Sequence, residues 1–93
     1  MLNSYTQENP PKRGTAKKLW RVLHANDIEI EELHYNPNCW GNAAGGGWGT
    51  WAFTGYSKRF PIDKHGAHCG VYKGQVYIRG MTAPYAAIFL DGS

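Results

Sequence analysis

Cys69-Gly-Val-Tyr-Lys-Gly-Gln-Val-Tyr-Ile-Arg79 alternates in character on both sides of Lys73-Gly74. That dipeptide suits a two-residue turn, because glycine accepts a positive φ without steric cost. Closing the chain there pairs Tyr72 with Gln75 and Val71 with Val76, an antiparallel hairpin. The rest of the fold is read outward from it.

Downstream, Gly80 to Pro84 turns the chain and Pro84-Tyr-Ala-Ala-Ile-Phe-Leu90 follows. Apolar on both faces, this run reads as a central strand. Upstream, Asp63 to Gly66 reads as a turn. Gly55 to Pro61 reads as a connection, with a short edge strand at Lys58-Arg-Phe60 that Pro61 keeps from a central position. Thr50-Trp-Ala-Phe-Thr54 alternates as a strand, with Trp51 and Phe53 on one face.

Ile28-Glu-Ile-Glu-Glu-Leu-His-Tyr35 alternates with one flaw. Leu33 and Tyr35 join the face of Ile28 and Ile30 only if one residue is inserted near Glu31-Glu32, so a β-bulge is expected there. Glu29, Glu31 and Glu32 then form the solvated side. Before it, Ala16, Leu19, Trp20 and Leu23 recur at helical spacing, and Val22 widens the stripe. Thr15 is expected to cap this helix and Asn26 to end it in the left-handed conformation. Lys17, Lys18, Arg21 and His24 take its opposite face. Residues 1–12, polar and closed by Pro10-Pro11, read as a mobile N-terminal arm, and 13–93 as a single domain. The expected fold class is α+β: one N-terminal α-helix packed on a four- to five-stranded antiparallel sheet.

At 93 residues, 42% of them hydrophobic and 14% aromatic, the chain can bury a small core in which rings carry much of the stability. A net charge of +3 excludes an acidic DNA mimic and permits an acidic partner. The start lacks the pattern of a secretory signal, and no apolar run is long enough to span a membrane. A cytoplasmic protein with reduced thiols is therefore expected, with no membrane partner.

Three of the four tryptophans (Trp40, Trp48, Trp51) lie between Tyr35 and Tyr56, beside the glycines of Gly45-Gly-Gly47-Trp-Gly49. This run is not a nucleotide cradle: it lacks the Lys-Ser/Thr of a P-loop and precedes a strand, where a pyrophosphate needs a helix N-terminus. His34, Cys39, His65, His68 and Cys69 depart from the spacing of zinc fingers and ribbons, and adjacent His68-Cys69 cannot both face one ion from a strand. A Cys39–His nucleophile has no nameable oxyanion donor. Neither catalytic residues, nor a metal, nor a cofactor is expected, although a Cys/His metal or thiol site stays as an alternative.

Two binding classes remain. Trp40 and Trp48 suit interface anchors on a glycine-flexible segment, with Trp51 given to the core. Lys17, Lys18 and Arg21 would steer the chain towards an acidic or nucleic-acid-occupied surface. The rival is a small basic nucleic-acid-binding domain using Lys17, Lys18, Arg21, Lys58 and Arg59, with Tyr56 or Phe60 stacking on bases. The leading expectation is a non-enzymatic protein that binds a larger protein or protein–nucleic-acid complex. Its specific form is a phage-type inhibitor of a nuclease or defence complex, which is a prior about short chains without catalytic signatures and not a reading of any residue.

Overall fold

The computed structural model describes residues 4–36, 51–59, 61–72, 74–80 and 88–90. In chain order these form β1 (Ser4–Thr6), α1 (Gly14–Ala25), β2 (Ile28–Tyr35), β3 (Trp51–Ser57), β4 (Ala67–Tyr72), β5 (Gln75–Gly80) and β6 (Ile88–Leu90). The strands make one antiparallel sheet in strict sequence order, β1 to β6. The helix lies between β1 and β2 in the chain and covers one face, so the α+β class holds. Strand β1 brings the described sheet to six; it lies inside the polar segment 1–12, where no periodicity announces it, and pairs Tyr5 with Leu33.

Helix α1 buries Ala16, Leu19, Val22 and Leu23 against Ile28, Ile30, Leu33, Phe53, Ala67, Cys69, Val76 and Ile78. Burying each leucine or isoleucine contributes about 1.5–3 kcal/mol, so this seam supplies most of the driving force for a twelve-residue helix too short to persist alone. Both helix ends differ from expectation. The N-cap position is Arg13, two residues before Thr15, and no side chain caps the end. Thr15 is already inside the helix, where its hydroxyl cannot reach the first free N–H groups. At the other end Asn26 has φ −102, and the left-handed residue is its neighbour Asp27 (φ 64). Asn26 instead uses its side chain, Nδ2 donating to the Val22 carbonyl at 2.8 Å.

The bulge lies where the sequence places it. Ile30 pairs with Gly55 and Glu32 with Thr54, leaving Glu31 as the extra residue. Ile28, Ile30 and Leu33 all reach the helix side as a result. The disrupted ladder is patched from outside: the Gln7 side-chain amide donates to the Ile30 carbonyl at 2.8 Å.

Three strand limits are corrected. Strand β3 runs on through Gly55 to Ser57, across residues read as connection, because Gly55 permits the close backbone approach at the bulge. Lys58 and Arg59 form a bend and not an edge strand; Phe60 lies outside the described residues. Strand β6, read as central, is an edge strand of the described sheet, since a sheet in sequence order leaves its last strand at a side. The β4–β5 hairpin has the expected register, Tyr72 with Gln75 and Val71 with Val76, and Gly74 takes φ 79. The Asp63–Gly66 turn closes with Gly66 N–H donating to the Asp63 carbonyl at 2.8 Å.

Candidate functional site

Tyr35 and Trp51 are paired directly across β2 and β3. Their rings meet edge to face, centroids 5.4 Å apart at 68°, and Tyr5 adds a tilted contact to Trp51 at 6.3 Å. Trp51 is partly buried against the core, whereas Tyr35 remains 42% exposed. The connection that carries Trp40 and Trp48 therefore leaves and re-enters the sheet at adjacent positions held by three aromatic rings. Trp40, Trp48, Cys39 and the glycine run themselves lie outside the described residues.

The five basic residues expected at the binding surface divide into two groups that the fold keeps apart. Lys17 and Arg21 are exposed on the helix, while Lys18 is half-buried and its Nζ donates to the Gly74 carbonyl at 3.0 Å. Lys58 and Arg59 gather instead at the helix C-terminus, where the carbonyl end of the dipole favours cations. There Arg59 Nη1 donates to Asn26 Oδ1 at 3.3 Å, and Lys58 lines a cleft of about 540 Å³ with His24, Asp27 and Glu29. Tyr56, 62% exposed, stands on the sheet face that the helix does not cover, directly opposite Glu29. Thus the ring expected to stack on bases has a carboxylate for its nearest cross-strand neighbour, and the helix cations lie beyond the sheet.

No family model, curated protein or solved structure matches this chain.

Among the described residues no group of three or more His, Cys, Asp or Glu side chains could hold a metal ion. Cys69 is buried on the helix side, and His68, its neighbour in the strand, points to the other face. His34 and His68 flank Ala52 in one row across β2, β3 and β4, which separates their backbones by roughly 10 Å. His65 belongs to the Asp63 turn, its backbone N–H donating to Asp63 Oδ1 at 2.8 Å.

The fold perturbs the titration of His68. Desolvation, and secondarily the Arg79 guanidinium paired with it on β5, holds its imidazole below the ordinary 6.5. Its Nδ1 is buried without a hydrogen-bond partner. The unfolded chain therefore takes up a proton at pH values where the folded chain does not, and stability falls as pH drops through 6.5. Urea denaturation at several pH values between about 7.5 and 5.5 should show that loss, with a shallower slope in His68→Gln. Equal slopes would remove His68 as the source.

In the sequence Glu29 and Glu31 read only as solvated positions and Thr54 only as the end of a strand. With the bulge at Glu31 and β3 continued through Gly55, they converge with Tyr56 around one trough. Reading Gly55 as part of the strand is the signal that would have placed Tyr56 opposite Glu29.

Proposed function

We propose that this chain is a non-enzymatic interaction protein that binds a larger macromolecular partner. Trp40 and Trp48 act as anchors, and the helix cations Lys17, Lys18 and Arg21 supply electrostatic steering. The observation that carries the reading is the aromatic clamp of Tyr5, Trp51 and Tyr35 at the root of the tryptophan-bearing connection. Fixing both ends of a segment lowers the entropy lost when that segment docks. The finer form of the proposal is an inhibitor of the phage-encoded type acting on a nucleic-acid-handling nuclease or defence complex, with the basic helix face competing for a surface that the complex offers to nucleic acid.

Affinity capture from the native host, followed by reconstitution with the purified partner, tests this. Trp48→Ala should weaken the reconstituted complex by about 30-fold or more, as expected for a buried aromatic anchor. The thermal midpoint should stay within about 2 °C, because a surface change away from packing costs little. A large stability loss would instead place Trp48 in the core. Lys17→Glu with Arg21→Glu should slow association and flatten its salt dependence. Tight oligonucleotide binding with a steep salt slope, and no protein captured, would replace this reading with the nucleic-acid one.

A further inference from the structure

A trough of about 580 Å³ lies on the sheet face opposite the helix, lined by residues of β2, β3 and the Asp63 turn, with Gln7. Ile30 and Gly55, paired at the bulge, line it together with Gln7, whose side-chain amide holds the Ile30 carbonyl. Along one side stand Glu29 and Tyr56, directly opposite each other in register. Side chains so placed have Cβ atoms about 4.5–5.5 Å apart, so carboxylate and ring flank the same space. Glu31 also lines it, its carboxylate held by Thr54 Oγ1, which donates to Oε1 at 3.0 Å. Asp63 and Lys64 complete the lining.

Glu29, Glu31 and Asp63 thus share this trough with Lys64, beside a tyrosine ring that is 62% exposed, and Lys58 joins Glu29 and Tyr56 in the adjoining cleft. Among the described residues neither Glu29 nor Glu31 has a salt-bridge partner. This charge repels phosphates, whether of nucleic acid or of a lipid surface, and attracts a cation that can also cover an aromatic face.

We propose that the trough docks an arginine side chain from a basic, extended segment of a protein partner. The planar guanidinium stacks on Tyr56 while its fork of N–H groups donates to the carboxylates of Glu29 and Glu31. Lysine carries the same charge but lacks the flat donor array, so it fits less well. The site does not depend on Trp40 or Trp48, and either proposal can fail without the other.

The test is an amide NMR titration of the full chain at low salt with the peptide acetyl-Gly-Arg-Gly-Arg-Gly-amide, run beside its lysine and glutamate counterparts. The arginine peptide should shift the amides of residues 29–31 and 54–56, and the glutamate peptide should not. Glu29→Gln with Glu31→Gln, and separately Tyr56→Leu, should each weaken binding by about three- to tenfold with the remaining spectrum unchanged. Three outcomes would overturn the proposal. Shifts could centre elsewhere, persist undiminished in both variants, or be matched by an oligothymidylate acting on the same amides.

Discussion

Replacing Phe53 with alanine should remove about 3–5 kcal/mol of folding stability, the usual cost of emptying a buried phenylalanine site. Phe53 is fully buried, and among the described residues it is the largest of the completely enclosed side chains. It sits on β3, paired with Leu33 on one side and Ala67 on the other, beneath the apolar stripe of α1. Neighbours on three elements cannot all move inward, so most of the cavity stays open. Domains of this size have only about 5–15 kcal/mol in total, and each kcal/mol moves the midpoint by about 4–8 °C. The thermal midpoint should therefore fall by roughly 15–30 °C. Phe53→Leu, which refills much of the volume, should cost about 1–1.5 kcal/mol. An alanine variant within about 1 kcal/mol of the parent in urea denaturation would mean that the ring is not the centre of this core.

A single added methyl at Gly55 should be nearly as damaging, for a different reason. A Cβ there would press into the Glu29 carbonyl oxygen, with the Glu29 carbonyl carbon at 3.1 Å and Ile30 Cα at 3.2 Å. All three are backbone atoms of β2, so no rotamer change relieves the overlap. The strands must separate where the bulge already interrupts their ladder, and the cost should be at least about 2–3 kcal/mol. Gly74→Ala is the contrasting control. Gly74 has φ 79 with open space around the missing Cβ, so its cost is confined to the left-handed backbone penalty of about 1 kcal/mol. Equal losses at the two sites, measured by chemical denaturation, would show that backbone approach at the bulge is not what requires Gly55. The same variant should deform the trough that Gly55 lines with Ile30.

How far the sequence could be read follows from the range of the forces involved. The β4–β5 hairpin, the amphipathic helix and the extra residue at Glu31 are set by neighbours a few positions apart, through turn chemistry and the alternation of buried side chains. Each is plain in the order of residues. Strand β1 is not, because Ser4–Thr6 gain their conformation from pairing with residues nearly thirty positions away. Nor is the edge place of β6, since an apolar run records its burial and not its position in the sheet.

The candidate site divides in the same way. Exposed cations on the helix were legible from the helical period alone. That Tyr56 faces Glu29, with the helix cations beyond the sheet, was not. It depends on β3 continuing through a glycine that looks, from local chemistry, like a strand breaker. The sequence by itself determined the class of fold, its hairpin and its bulge, because those follow from local backbone preference and from which side chains water excludes. Only the tertiary structure decided why Gly55 must be glycine and which charges share a surface, because close approach of two backbones is a property of paired strands that neither strand encodes alone.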